Sequence, residues 1–139
     1  MNETMQQQEF DPSGIDVLIV DDAALIRHRF VTILRRIRGV ATIREAASVA
    51  EGIQRTEERP PDLLLLDISM PGGSGLDVLQ AVKRLERPPV VAVLTNYPYD
   101  EYRLRCTELG ADHFFDKTSE FHKVAELVRV MIRSDPPER

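Results

Sequence analysis

Three aspartates are the residues of this chain whose type and spacing most clearly indicate chemistry. Asp67 ends an apolar run of leucines, and Asp21 and Asp22 directly follow the run Val17-Leu18-Ile19-Val20. Such runs are typical of strands buried on both faces of a parallel sheet, and ligands bind outside the carboxyl ends of these strands. Crowded carboxylates repel one another, so at neutral pH they need a raised pKa or a cation. The sequence therefore predicts a divalent-metal site beside a nucleophilic aspartate.

Two further polar side chains are expected at the same edge of the sheet. Thr95 ends a fourth apolar strand, and Lys117 follows a fifth. Acids that hold a metal ion, a lysine that neutralises oxygen charge and a hydroxyl that orients a group together suit phosphoryl transfer, which relies on positioning and charge stabilisation. Aspartate can itself be the nucleophile and form an acyl phosphate.

Each of these residues also has a simpler explanation. Asp67 could cap a turn, and the pair Asp21-Asp22 could cap the following helix, a role compatible with metal binding. Thr95 could be an ordinary strand threonine and Lys117 a solvated lysine. A buried aspartate after four leucines is costly without a partner, however, which favours a functional role for Asp67.

The elements that must position these residues alternate along the chain. The apolar and turn patterns predict strands at 17–20, 40–45, 62–67, 90–95 and 113–116. They predict helices at 23–38, 48–59, 75–85, 100–109 and 119–133, the first with Ile26, Phe30, Ile33 and Ile37 inward and Gly39 as its stop. Ser48 and Glu51 have the spacing of a capping box. Strict alternation predicts an α/β fold, a doubly wound parallel sheet with helices on both faces.

The composition of the chain limits the classes of protein to which it can belong. The chain has 139 residues, of which 42% are hydrophobic, and these numbers suit one domain with a core. Its net charge of -5 argues against direct nucleic-acid binding. Its single cysteine, Cys106, is predicted to be a core residue on an inward stripe with Tyr102 and Leu109. With no long apolar run, no membrane contact and a cytoplasmic location are expected.

The order of these motifs resembles the response-regulator receiver domain of two-component signalling. The resemblance spans roughly residues 16–133 and rests on motifs that occur in the family's order: Val20-Asp21-Asp22, Leu66-Asp67-Ile68-Ser69-Met70-Pro71 with Gly75, Leu94-Thr95, and Gly110-Ala111-Asp112 leading to Lys117. It implies a flavodoxin-like fold of five strands in the order 2-1-3-4-5. The expected organisation is a leader at 1–14, a receiver domain at 15–133 and a tail at 134–139.

The resemblance also implies roles for individual residues. Asp67 would accept a phosphoryl group from a histidine kinase or a histidine phosphotransfer protein. Asp22, Asp67 and the backbone carbonyl of Ser69 would bind Mg2+ or Mn2+ directly, and Asp21 would act mostly through water; both ions favour oxygen ligands. Thr95 and Lys117 would bind phosphoryl oxygens. Thr95 and Phe114 would form a switch, although Phe114 is equally well explained as a plain aromatic.

Other positions are expected to influence the lifetime of the phosphoryl group and the binding of partner proteins. Ser69 and Tyr97 flank the path of the hydrolytic water in such domains, and their expected effects oppose each other. Tyr99, Tyr102 and Phe115 lie in the segment of helix 4, strand 5 and helix 5, where an effector or a second copy could bind. Three departures from the family pattern are Asn96 in place of a very small residue, Thr118 in place of proline, and Phe114 in place of the tyrosine often found there. The arginines around the first helix, Arg27 among them, are typical of a solvated face.

Three functions are compatible with these residues. The first is a stand-alone receiver that catalyses only its own phosphorylation and dephosphorylation, and that signals by protein contact or passes the phosphoryl group onward in a relay. The second is the receiver half of a DNA-binding transcriptional regulator. The third is a phosphatase of the haloacid-dehalogenase type, which needs a second acid two residues after the nucleophile. Ser69 occupies that position, so this enzyme is the weakest of the three.

Overall fold

Five parallel strands form the central sheet of the computed structural model, which describes residues 14–70, 73–96 and 100–134. The strands pair in the order 2-1-3-4-5, as the family resemblance implies. Their bounds are β1 Ile15–Val20, β2 Val40–Ala46, β3 Leu63–Asp67, β4 Val90–Thr95 and β5 His113–Asp116. A right-handed βαβ crossover connects parallel neighbours in such sheets, and here a helix follows every strand. The predicted fold class is therefore confirmed.

Five helices follow the five strands. Their bounds are α1 Ala24–Leu34, α2 Val49–Glu58, α3 Gly75–Lys83, α4 Asp100–Glu108 and α5 Phe121–Ser134. Ser69–Met70 and Gly73–Ser74 also pair as a short antiparallel ribbon, which the sequence patterns did not predict. The predicted leader and tail lie outside the described residues, except for Gly14 and Ser134. No described helix has both the length and the apolar character needed to cross a membrane.

The core consists of two layers, one on each face of the sheet. Leu63 to Leu66 are all 0% exposed, because alternate residues of β3 enter opposite layers. Helices α1 and α5 cover one face, with Phe30, Leu34, Val124 and Val128 packed against it. Residues of α2, α3 and α4, including Ile53, Leu79 and Cys106, cover the other. Burial of β3 on both faces is what its unbroken leucine run predicted.

The first helix ends earlier than its periodicity predicted. It stops at Leu34 rather than Arg38, and the next residues form tighter turns in which the N–H groups of Arg36 and Ile37 donate to the carbonyls three residues earlier. These turns still bury Ile37, which is why its apolar position looked helical. Gly39 follows them at a φ of 105°, a conformation that favours glycine.

Two other local expectations had different outcomes. The Ser48 hydroxyl accepts the N–H of Glu51 at 3.1 Å, so the predicted N-cap is confirmed. The Glu51 carboxylate also reaches back, but it accepts the N–H of Ala47 at 2.7 Å, one residue before the donor that a capping box would use. Tyr102, however, is not on an inward stripe: it is 42% exposed, whereas Cys106 is fully buried. Only one side of the short helix α4 contacts the core, and Tyr102 lies outside that side.

Candidate functional site

The three aspartates of the sequence pattern converge at the carboxyl edge of the sheet. Oxygen atoms of Asp21, Asp22 and Asp67 all lie within 4.8 Å of one another. Asp21 and Asp67 are 1% and 3% exposed, whereas Asp22 is exposed to solvent. Strands β1 and β3 are hydrogen-bonded neighbours, and this pairing brings Asp67 close to Asp22 and Asp21, which are 45 and 46 residues away in the chain. The predicted acidic cluster is thus present.

Lys117 enters this cluster as the partner of both buried carboxylates. Its Nζ atom lies 2.8 Å from Asp21 Oδ2 and 3.4 Å from Asp67 Oδ2. The Lys117 N–H donates to the carbonyl of Thr95 at 2.8 Å, which ties the loop after β5 to the end of β4. The side chain is 8% exposed. Lys117 is therefore a buried cation of the site and not a solvated surface lysine.

Burial controls the electrostatics of Asp67. Removal from water raises the pKa of its carboxyl from 3.8 to about 6, and repulsion by Asp21 adds to this increase. The N–H of Ser69 and the Lys117 ammonium act in the opposite direction. Burial alone would lower the pKa of Lys117, but its contacts with Asp21 and Asp67 outweigh burial and raise the pKa. Asp67 is consequently ionised at neutral pH, although its desolvation destabilises this ionised form.

The loop after β3 fixes the Asp67 side chain. The N–H of Ser69 donates to Asp67 Oδ1 at 3.0 Å. The N–H of Gly75 donates to the carbonyl of Ile68 at 3.2 Å, and a β-carbon at Gly75 would collide with the backbone of Asp67 and Ile68. Only glycine allows this close approach, so the start of α3 packs directly on the chain that carries the aspartate.

Arg27 is a residue of the site that sequence reasoning missed. Its Nη1 donates to the carbonyl of Asp21 at 2.7 Å, and its Nε donates to Glu45 Oε1 at 2.9 Å. Its side chain is 16% exposed, so the assignment of Arg27 to a solvated face was wrong. The bond joins α1 to the turn after β1, and the Ala23 N–H holds Asp21 Oδ1 at 2.8 Å in the same turn. The sequence spacing gives no sign of this pair, because Arg27 lies on α1 and Glu45 lies on β2.

The remaining predicted site residues lie around this centre. Thr95 is fully buried at the end of β4, and Asn96 is exposed beside it. The Thr118 hydroxyl donates to Asn96 Oδ1 at 3.3 Å, and no cis peptide bond occurs in the described segments. Tyr97 and Tyr99 fall outside the described residues.

The aromatic residues of β5 face opposite layers. Phe114 is 8% exposed, belongs to the layer that contains Cys106, and has the Arg103 guanidinium 4.6 Å from its ring centroid. Phe115 is half-buried on the other side and stacks on His113 at 5.9 Å. Phe114 thus occupies an inward position covered by a cation of α4.

The donor set of the cluster fits a hard divalent cation. It consists of carboxylate oxygens, which are the protein ligands that Mg2+ and Mn2+ prefer. Three carboxylates face one ion-paired lysine, so negative charge is in excess when all three are ionised. Asp21 Oδ2 is buried and accepts no well-aligned hydrogen bond from a described group; its close contact is the ion pair with Lys117. Its oxygen therefore retains a lone pair for a cation.

Comparison with known proteins finds related sequences over most of the chain. Residues 17–129 match the family model described as the response regulator receiver domain. The sensory transduction protein LytT of Enterococcus faecalis is 32% identical over 112 residues, which are 81% of this chain and 46% of that protein. The transcriptional regulatory protein LiaR of Bacillus subtilis is 29% identical over 88% of this chain and 58% of its own length. The chain thus spans about half the length of these curated relatives.

Solved structures agree with the sequence comparison. The signal receiver domain of the response regulator NarL from Mycobacterium tuberculosis has a TM-score of 0.79 and 27% identity, over 88% of this chain and 99% of that one. The response regulator domain of CheB from Thermotoga maritima has a TM-score of 0.76 and 25% identity over the same shares. Both matches extend over nearly all of the described sheet and helices.

Proposed function

Because this chain belongs to the response regulator receiver family, we propose that it is a signalling domain that accepts a phosphoryl group on Asp67. The observation that carries the proposal is the convergence of Asp67 with Asp21, Asp22 and Lys117 at one sheet edge. The donor is a phosphohistidine on a histidine kinase or a histidine phosphotransfer protein. Receiver domains are signalling domains, and the reaction here is self-modification without turnover of a metabolite.

The chemistry follows from the positions of the side chains. A carboxylate oxygen of Asp67 attacks the phosphorus atom, a new O–P bond forms, and the N–P bond of the donor breaks with its electron pair on the imidazole nitrogen. Ser69 N–H holds the other Asp67 oxygen, which fixes the direction of attack. Lys117 and the hydroxyl of Thr95 bind the phosphoryl oxygens, so that charge is neutralised where it develops.

Asp21, Asp22 and Asp67, with the carbonyl of Ser69, would hold Mg2+ or Mn2+. The bound cation supplies charge neutralisation for the phosphoryl oxygens. Asp21 also anchors the Lys117 ammonium 2.8 Å away, and Arg27 holds the backbone carbonyl of Asp21. These contacts keep the acids in place before a donor arrives.

The signal leaves the site through the face formed by α4, β5 and α5. Thr95 moves toward the phosphoryl group, and Phe114 repacks behind it. Tyr102 and Leu104 of α4 are 42% and 61% exposed, which supports an effector or a second copy as the occupant of this face. Phe115 is half-buried at its border, and Ser69 and Tyr97 would tune the phosphoryl lifetime. A cytoplasmic location suits a partner of the kinase.

A second candidate is supported by the lengths of the relatives. LytT and LiaR are about twice as long as the segment that this chain matches, and LiaR is named as a transcriptional regulatory protein. The same phosphoryl site would then control an output domain. By contrast, a haloacid-dehalogenase-type phosphatase is disfavoured, because Ser69 replaces the acid that turnover requires.

Intact-mass measurement tests the proposal directly. The protein is incubated with Mg2+ and a small phosphodonor, beside Asp67→Asn and the matched control Asp77→Asn, which changes an exposed aspartate of α3. Wild type and the control should gain the mass of one phosphoryl group, whereas Asp67→Asn and a chelated sample should not. Phosphorylation of folded Asp67→Asn, or none of folded wild type, would refute it.

A further inference from the structure

A basic cleft lies at the edge of the sheet opposite the aspartates. Its cavity of about 270 Å³ is lined by residues of two segments, the turn after α1 and the last turns of α5. The lining residues are Arg36, Ile37, Arg38, Arg129, Ile132 and Arg133. Four of these six side chains are guanidinium groups and none is acidic, although the chain as a whole has a net charge of -5.

The four arginines of this cleft lack neutralising partners in the described part of the chain. None of them forms an ion pair or a side-chain hydrogen bond with a described residue, whereas Arg27, Arg44 and Arg59 each have acidic partners. Arg129 and Arg133 are also four residues apart on one helix, where like charges destabilise each other. The C-terminal ends of α1 and α5 attract cations but carry only partial charges. Within the described residues, the cleft is therefore positively charged and has no acidic partner.

The floor of the cleft is apolar and well supported. Ile37 is 7% exposed, and the side chain of Ile132 packs against Gly39 so closely that a β-carbon there would collide with it. Gly39 has a φ of 105°, so both the space and the backbone conformation require glycine. The lining therefore combines an apolar contact surface with four guanidinium groups.

We propose that this cleft binds a small phosphate-bearing molecule with a ring system, of which a nucleoside diphosphate is the type. A phosphate concentrates negative charge and several acceptor oxygens in one group, and the planar guanidinium fork binds such groups in a bidentate manner. An acidic peptide offers single carboxylates spread along a chain and so presents less charge to four clustered guanidinium groups. The volume of about 270 Å³ lies just below the usual range for small-molecule sites, about 300–1,000 Å³, and the isoleucine floor provides contact for the ring.

Titration monitored by two-dimensional amide NMR tests this site in magnesium-free buffer. Guanosine and adenosine 5′-diphosphates are compared with inorganic phosphate, guanosine, a short DNA duplex and an acidic peptide. We expect the diphosphates to shift the resonances of residues 36–39 and 129–133 in a saturable way. Their Kd should be at least about tenfold lower than that of inorganic phosphate, because the ring adds contact.

Paired variants separate this site from general charge attraction. Arg38→Gln with Arg129→Gln should weaken diphosphate binding at least about tenfold, while Arg84→Gln with Arg87→Gln, an equal charge change at exposed positions elsewhere, should not. Asp67→Asn should bind as wild type does, since the cleft is independent of the phosphorylation site. Equal affinity for inorganic phosphate, preference for DNA or peptide, or loss of binding in both double variants would overturn the proposal.

Discussion

The two ends of strand β1 each carry an aspartate, and the protein holds these carboxylates in opposite ways. Asp16, at the amino end, binds Arg44 Nη2 at 2.9 Å, Arg59 Nε at 3.2 Å and the Thr42 hydroxyl at 2.6 Å. Asp21, just past the carboxyl end, shares one lysine with a second buried aspartate. Charge is matched at the first end and unmatched at the second.

The difference separates a structural use of charge from a functional one. The guanidinium of Arg44 also donates to the carbonyls of Arg55 and Arg59, so the Asp16 cluster satisfies the end of α2 as well. At the other end, desolvation raises the pKa of Asp67 to about 6, which means that folding works against its ionised form. The ion pairs and hydrogen bonds at Asp16 stabilise the fold and can offset the desolvation of Asp67. The excess negative charge around Asp67 is what binding of a cation requires.

The largest effect is expected from Arg44→Met, which breaks the matched end. The substitution keeps much of the side-chain volume but leaves Asp16, 16% exposed, with only Arg59 and Thr42. It also removes a donor from two carbonyls at the end of α2, of which that of Arg55 still accepts the Arg59 N–H. Loss of a partly buried pair and its hydrogen bonds should lower the free energy of unfolding by about 2–3 kcal/mol, as urea denaturation would report. Arg84→Met on the exposed end of α3 serves as the control, and an equal loss in both variants would contradict the assignment.

Asp67→Asn should have the opposite sign at the unmatched end. The folded pKa of Asp67 is raised, so its destabilising effect is absent below the unfolded value near 3.8 and complete above about 6. Removing the charge should therefore stabilise the metal-free protein at pH 7 by about 1–3 kcal/mol and leave stability nearly unchanged at pH 4.

Urea denaturation at both pH values, with and without Mg2+, measures this effect. Mg2+ should narrow the difference at pH 7, because it stabilises wild type more than the variant. If the variant were less stable than wild type at pH 7 without metal, the negative charge of Asp67 would be neutralised by its neighbours, contrary to our interpretation.

The sequence predicted the unmatched end far better than the matched one. The leucine run before Asp67 and the apolar run before Asp21 locate both acids at strand ends, and parallel pairing then brings them together. Asp16 carries no such signal, because its partners come from β2 and from the end of α2 and become neighbours only after folding. Side-chain networks across elements leave no periodic trace in the chain.

The same reasoning explains the local errors. Arg27 looked like part of a solvated face, yet its fork joins two elements through Asp21 and Glu45. Tyr102 shared a helical spacing with Cys106, but α4 contacts the core along a narrower stripe than that spacing suggested. In both cases the orientation of a helix, rather than its existence, decided the outcome.

A smaller effect is expected from Arg27→Lys, which tests how the unmatched end is positioned. Lysine retains the charge but cannot bind the Asp21 carbonyl and Glu45 with one planar fork. Because residues that orient metal ligands influence affinity, the Kd for Mg2+ should rise about tenfold, as titration calorimetry would show. Glu45→Gln removes only the half-exposed ion pair and should change the Kd less. An unchanged Kd in Arg27→Lys would assign Arg27 to stability alone.

The smallest effect is expected at Asp116, a third carboxylate whose pKa shifts in the direction opposite to that of Asp67. It is held by backbone donors, the N–H groups of Ser119 and Thr118 at 3.0 and 2.8 Å, and these bonds lower its pKa below 3.8. Its stabilising contribution is therefore present above the unfolded pKa and disappears as the pH falls through the folded pKa.

In the wild-type protein, the titration of Asp67 dominates the pH dependence of stability over a neighbouring pH range. The test therefore compares Asp67→Asn with Asp67→Asn/Asp116→Asn. The double variant should unfold at a slightly lower urea concentration at pH 6, and the two midpoints should converge as the pH falls through the lowered pKa of Asp116. A carboxyl-carbon NMR titration should place the pKa of Asp116 below and that of wild-type Asp67 above the usual range. If the pKa values of Asp116 and Asp67 shifted in the same direction, the two carboxylates would not differ as we expect. Backbone hydrogen bonds at an exposed carboxylate would then have the same effect on its pKa as burial beside other carboxylates.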